Sequence, residues 1–199
     1  ALLRRDPRFR PFRDWLNLQT ELGICHRQEF VSMVPPYFLN VQPTDSCLDM
    51  CAAPGSKTAQ IVESLDKEQG MVFANDTDPR RCRTLVHNLQ KVGTQNVLVT
   101  SQKAQTYNSN GVLFDKVLCD GPCTGDGTLR KNAVAGSKFS PKNAGSLHGT
   151  QRRILQRGLE LTKVGGYCVY STCSMNPIED EAVVNSVLLE TKGSVEIVD

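Results

Sequence analysis

From residue 46 onward, short apolar runs alternate with stretches of helical periodicity, the pattern of a parallel sheet assembled from βαβ units. Six runs qualify as strands: 46–50, 71–75, 97–101, 116–120, 167–171 and 195–198, the last cut by the end of the sequence. Between the first two, 57–65 can place Ile61, Val62 and Leu65 on one helical face. After the second, Asp78 stands as N-cap with Pro79 at the first helical position, Leu85, Val86, Leu89 and Val92 form a face, and Gly93 is the stop signal. The stretch 151–163 reads as a helix ending at Gly165-Gly166. Asn176 and Glu179 make a capping-box-like pair around Pro177, opening a helix whose Val184, Val187 and Leu188 face inward and which Gly193 ends. Residues 1–44 are expected to be a mainly helical segment packed on the core, and 45–199 one α/β unit.

Length and composition narrow this further. A chain of 199 residues, 39% hydrophobic and 22% charged, holds one soluble domain with one core. Its longest apolar runs fall far short of the roughly 20 residues of a membrane helix, so no membrane partner is expected. A net charge of +2 says little, but its distribution says more. From 127 to 159 there is no Asp or Glu, whereas Arg130, Lys131, Lys138, Lys142, Arg152, Arg153 and Arg157 are all basic, a local field suited to nucleic acid. The eight cysteines are irregularly spaced, contain no C-x-x-C and follow no signal peptide. This points to a reducing intracellular compartment, nucleus or cytoplasm, and against a disulfide scaffold or a structural metal site. Cys25, Cys47, Cys82, Cys119 and Cys168 read as small buried hydrophobes.

The loops after the strands should carry the chemistry, because ligands of open α/β sheets gather at the carboxyl ends of strands. The first is "DMCAAPGSKT", whose small residues let a ligand approach the backbone at a helix start. It is not a Walker loop: Cys51 and Ser56 stand where glycines are required, and the dinucleotide fingerprint is absent as well. Asp76 lies where a carboxylate can accept from ribose hydroxyls, about 20 residues beyond that loop. An adenosine-containing ligand without a phosphate motif suggests S-adenosylmethionine. The fourth and fifth strands end in "CDGPCTGDG" and "YSTCS", each delivering a cysteine to the same rim.

Together "DMCAAPGSKT", "CDGPCTGDGTLRKN" and "YSTCSMNPIEDEAV", in this order, resemble the signature blocks of the Nop/Sun RNA cytosine-5 methyltransferases, and "RQEFVSMVPPYFLNVQP" is similar to their eukaryotic tRNA-modifying branch. The resemblance implies a Rossmann-like S-adenosylmethionine-dependent methyltransferase fold, here stopping short of its seventh strand. It implies S-adenosylmethionine as methyl donor, held by Cys51, Ala52, Ala53, Pro54, Gly55, Ser56, Lys57, Asp76, the position of Lys103, and Asp120. It also implies RNA, in that branch tRNA, as substrate. One departure is Lys103, where the family pattern has an acidic residue for the adenine amino group; Gln102 or a backbone carbonyl would have to replace it, or donor affinity falls.

Carbon 5 of cytosine is a poor nucleophile, and a thiolate adding to carbon 6 makes it enamine-like. By resemblance Cys173 is that nucleophile and Cys123 assists product release; from the residues alone the two roles could be exchanged. Cys173 is expected to gain thiolate character from the helix opening at Asn176. Asp120 is the candidate for the ring-nitrogen and amine edge of the base, and needs a raised pKa if it is to donate a proton. Arg130 and Lys131 are expected to contact RNA phosphates, within a channel formed by 127–159. Two other readings stand beside this one: an RNA-binding or assembly module that barely uses the donor, and a methyltransferase acting on an amino group, against which "DGPC" after strand four speaks.

Overall fold

The computed structural model describes residues 6–93, 95–130 and 141–198, with 141–144 described by backbone alone. One sheet contains β1 (Ser46–Asp49), β2 (Met71–Asn75), β3 (Val97–Thr100), β4 (Phe114–Asp120) and β5 (Thr162–Ser171), all parallel, in the order β3-β2-β1-β4-β5. The helices are α1 (Arg10–Glu21), α2 (Val34–Phe38), α3 (Ser56–Glu63), α4 (Pro79–Val92), α5 (Pro141–Leu161) and α6 (Glu181–Thr191).

Alternation along the strands sends side chains to both faces, and both are covered, which is why the strand sequences are almost continuously apolar. On one face Cys47, Val72, Ala74 and Leu118 pack with Ile61 and Val62 of α3 and Leu85 and Leu89 of α4. On the other, Leu48, Met50, Phe114, Val117 and Cys119 pack with Ile154 and Leu161 of α5. Helix α6 rests on α5 through Val183, Val187 and Leu155. Hydrogen bonds from Gln28 to Gln60 and from Gln60 to the Met33 carbonyl tie residues 28–33 to α3, while α1 has no buried residue.

The α4 signals act as read: Asp78 Oδ1 accepts from Arg80 N at 2.8 Å, a cap contributing about 1 kcal/mol, and Gly93 ends the helix in the left-handed region. Four expectations need correction. Residues 195–198 form no ladder among the described residues; an apolar run becomes a strand only where a partner strand meets it. Helix α5 begins at Pro141, ten residues before the expected start, because Gly145 and Gly149 dilute the apolar periodicity there. Gly165-Gly166 lies inside β5, at the irregularity where pairing with β4 passes from Phe114↔Thr162 to Lys116↔Tyr167. Helix α6 starts at Glu181, so Asn176 and Glu179 do not form a capping box: Asn176 closes a tight turn onto Ile178 N, and the Glu179 side chain turns inward.

Candidate active site

The strand order reverses between β1 and β4, which opens a crevice at their carboxyl ends. Backbone bonds hold the loop after β1 against the neighbouring strand ends: Met50 N donates to Leu118 O at 2.9 Å and Ala52 N to Asn75 O at 2.7 Å. The buried Asn75 amide is a brace that sequence reasoning missed. It donates to Met50 O and Gln102 O and accepts from Thr100 Oγ1 and Gln102 N, so one side chain links the ends of three strands. Gly55 has φ +109°, and a Cβ there would stand 2.9 Å from Leu85 Cδ1; only glycine lets α3 start this close to α4.

A cavity of about 240 Å³ lies above β1 and β4. Cys51, Ala52, Ala53, Pro54, Ser56, Lys57 and Asp120 line it as the sequence indicates, joined by Asp49, Arg27, Gln28, Glu29 and Ser32, which it did not. Lys57 Nζ is 2.8 Å from Asp120 Oδ2 and donates to Ser32 Oγ at 3.0 Å; Ser171 Oγ donates to Asp120 Oδ1 at 2.8 Å. Both Asp120 oxygens therefore already accept, one from the Lys57 ammonium and one from the Ser171 hydroxyl.

Asp49 is buried; its Oδ2 accepts from Thr58 Oγ1 at 2.8 Å, while its Oδ1 has no hydrogen-bond partner among the described residues. Burial pushes its pKa up to about 7, with the Asp120 charge adding to the rise and the Thr58 bond opposing it. A buried acceptor left open on a cavity wall fits a ligand that brings a cationic or N–H group. The chemistry of this donor set therefore fits S-adenosylmethionine.

Asp76, Gly55 and Lys103 are not on this cavity wall. Asp76 is buried, with Oδ1 accepting from Asp78 N at 3.0 Å and Oδ2 meeting Ala53 N at 3.3 Å and the Arg81 guanidinium at 3.2 Å. Lys103 is exposed. The Gln102 side chain is engaged with the backbone of Asn108: its Oε1 accepts from Asn108 N and its Nε2 donates to Asn108 O.

The loops after β4 and β5 bring Cys123 Sγ and Cys173 Sγ to 3.3 Å. Cys173 is exposed and Cys123 half-buried. The bond from the Cys123 S–H lowers the Cys173 pKa to about 7 against opposing burial and the Asp120 charge, with Lys57 helping; the same bond, with burial, holds the Cys123 thiol far above its ordinary value. This replaces the helix-terminus explanation, since α6 begins eight residues beyond Cys173. The two sulfurs also differ in exposure, Cys173 being the more open to solvent.

The basic stretch is less uniform than its sequence. Arg130 is exposed, whereas Lys131 lies outside the described residues. Arg157 donates to Tyr107 O at 2.9 and 2.7 Å and Arg152 pairs with Glu190, so these two guanidinium groups are held within the chain. Among the described residues no three His, Cys, Asp or Glu side chains converge as metal ligands, and no helix is long and apolar enough to cross a membrane.

A doubly covered parallel sheet with its ligand crevice at the β1/β4 reversal defines a Rossmann-like S-adenosylmethionine-dependent methyltransferase fold. The family model for 16S rRNA methyltransferase RsmB/F matches residues 36–199, and the chain belongs to that family. It is 46% identical over 213 residues to the tRNA (cytosine(34)-C(5))-methyltransferase of Drosophila melanogaster, covering 98% of this chain and 28% of that protein. It is 43% identical over 214 residues to the multisite-specific tRNA:(cytosine-C(5))-methyltransferase of Saccharomyces cerevisiae, covering all of this chain and 31% of that one. Among solved structures, NSun6 from Pyrococcus horikoshii with SFG superposes with a TM-score of 0.79 at 29% identity, over 86% of this chain and 44% of that one. The chain spans about a third of the length of these curated relatives.

Proposed function

We propose that the protein containing this chain transfers a methyl group from S-adenosylmethionine to carbon 5 of cytosine in RNA, in tRNA by likeness to its relatives, through a covalent bond between Cys173 and carbon 6. The observation that carries the reading is the 3.3 Å sulfur contact beside the Lys57–Asp120 pair. Cys51 to Lys57, with Asp49, would hold the donor, which when bound supplies an electrophilic methyl group; Asp76, buried and off the cavity wall, would brace that loop by accepting from Ala53 N.

The chain's own residues account for the remaining steps. Cys173, ionised near neutral pH, adds through Sγ to carbon 6. Asp120 accepts from the exocyclic amine, and the Lys57 ammonium opposes the negative charge that builds on the ring. Carbon 5 then becomes nucleophilic. Once Cys173 Sγ is bonded to carbon it no longer offers a thiolate to the Cys123 S–H. Cys123, part-exposed, can then release its proton to solvent and, as the thiolate, take the proton from carbon 5, while the carbon 6–sulfur bond breaks and its electron pair returns to Cys173. The target base must leave its stack to reach this rim, and Arg130 and Lys131 would hold phosphates without reading sequence.

The test is incubation of the full-length protein with RNA and a labelled donor, followed by nucleoside analysis. Label in 5-methylcytidine supports the reading. Cys173→Ala should abolish both turnover and covalent adduct, and Cys123→Ala should accumulate a denaturation-resistant protein–RNA adduct. Methyl transfer to an exocyclic amine, or full activity without both sulfurs, would overturn it.

A further inference from the structure

Glu179 is an acid that the sequence pattern assigned to helix capping and that the mechanism leaves unused, yet it is fully buried. Its carboxylate receives four hydrogen bonds. Oε1 accepts from Thr124 N at 3.0 Å and from Gln151 Nε2 at 3.1 Å; Oε2 accepts from the hydroxyls of Thr124 and Ser174 at 2.5 Å each. Thr124 directly follows Cys123, and Ser174 directly follows Cys173. Gln151 also donates to Pro122 O at 3.0 Å, so the residues on both sides of Cys123 are braced from one point. Tyr170 OH donates to Glu179 O at 2.6 Å and fixes the acid to the end of β5.

We propose that Glu179 is a positioning residue for the two cysteines: its carboxylate joins the loop carrying Cys123 to the loop carrying Cys173 and so sets the sulfur–sulfur contact. The two loops come from different strands, and among the described residues their backbone-to-backbone contact is one bond, Gly127 N to Cys173 O at 3.0 Å, with Met175 N to Asp126 Oδ1 as a side-chain latch at the same length. A buried carboxylate accepts at both oxygens and so can gather a backbone N–H, an amide and two hydroxyls at one point. Burial raises the Glu179 pKa, but the Ser174, Thr124 and Gln151 bonds outweigh it and hold the group below its ordinary value, so it stays charged at neutral pH. The purpose of the joint rests on the covalent reading above; its geometry does not.

The direction of one shift separates this role from a merely electrostatic one. Removing a nearby negative charge would by itself favour the Cys173 thiolate and move its ionisation to lower pH. Releasing the loops withdraws the Cys123 S–H and moves it to higher pH. The experiment follows Cys173 alkylation by iodoacetamide against pH in the full-length protein without RNA, with folding checked by near-ultraviolet circular dichroism. Glu179→Ala should raise the midpoint by more than about one pH unit. Glu179→Ala/Cys123→Ala should rise no further than Cys123→Ala alone. Glu179→Gln should stay close to the wild-type protein, since its amide oxygen can keep the Thr124 N–H and Gln151 bonds while its NH2 donates to the two rotated hydroxyls. In methyl transfer, Glu179→Ala should lose kcat by roughly a hundredfold, the cost of a misplacement on the order of 1 Å, with KM for RNA nearly unchanged.

A folded Glu179→Ala protein whose Cys173 titrates as in the wild type, or at lower pH, overturns the proposal. If that variant does not fold, Ser174→Ala and Thr124→Val each remove one hydroxyl bond and should each give a smaller upward shift; no shift in either would overturn it equally. The expected alkylation pattern in a protein that methylates no RNA would support the joint and sink the methyltransferase reading.

Discussion

Replacing Cys123 by alanine removes the S–H that stabilises the Cys173 thiolate, and the size of the effect follows from the structure. With a pKa of about 7, against an ordinary thiol value of 9.0, about half of Cys173 is ionised at pH 7, compared with about one part in a hundred for an unassisted thiol. The roughly 50-fold loss of thiolate is partly offset because a more basic thiolate is the better nucleophile. A Brønsted slope of about 0.45 over two pKa units makes each thiolate of the variant about 8-fold more reactive. Cys123→Ala should therefore alkylate Cys173 about 6-fold more slowly than the wild type at pH 7, match it near pH ~8, and exceed it about 6-fold above pH ~9.5. The assay is the initial rate of iodoacetamide labelling of the Cys173 peptide, read by mass spectrometry from pH 5.5 to 10. Two rate profiles that cross near pH ~8 support the argument. A variant profile that keeps its midpoint near 7 would refute it and assign the thiolate to Lys57 instead.

Asp49, raised from about 4 to about 7 by burial, binds its proton more tightly in the folded than in the unfolded state, so without ligand its contribution to stability falls as pH rises through that window and is constant above it. Asp49→Asn should abolish that fall, stabilising the protein above pH 7 by at most on the order of 4 kcal/mol, measurable as urea midpoints at pH 5 and 8. The same variant should bind S-adenosylmethionine more weakly by calorimetry, since the open acceptor loses its charge. Gly127→Ala would place a Cβ 2.8 Å from Cys173 O and should cost about 1–3 kcal/mol by overpacking while separating the sulfurs; unaltered melting and unaltered Cys173 alkylation would contradict this. On the proposed function, Lys103→Asp places an acceptor where the resembled family has one and should tighten donor binding by about tenfold, the worth of one good hydrogen bond to a charged group; equal dissociation constants would show that the lysine is neutral to the donor.

The sheet was legible because β1, β2 and β4 are apolar runs with mostly buried residues, and β3 and β5 carry similar apolar runs at partial burial, and α4 because its cap, proline and stop glycine agree with its apolar face. The first half of α5 was hidden by Gly145 and Gly149, and the turn before α6 was mistaken for a capping box because Glu179 stands at capping distance from Asn176 while its side chain is committed elsewhere. The crevice loop and both cysteines could be found from their position after strands. Asp49 and Asn75 could not, since they are the last residues of β1 and β2, where a polar residue reads as the end of an apolar run and only the fold shows what surrounds it. The neighbour of Cys173, too, escaped the sequence: a helix terminus was the nearest visible influence on its thiol, whereas the sulfur in contact with it lies 50 residues away along the chain.

Asp120 and Ser171 are register partners at the ends of β4 and β5, and the hydroxyl-to-carboxylate bond joins them there. On the covalent reading proposed above, the backbone ladder fixes the acid at the end of β4 against the strand end from which Cys173 follows two residues later, before the loops themselves are considered. Loop residues farther out can then change to suit a different RNA without retuning the reaction. A scaffold of this kind lets substrate choice diversify independently of chemistry, and grafting outer loops between relatives should exchange target sites while leaving the bond-making centre intact.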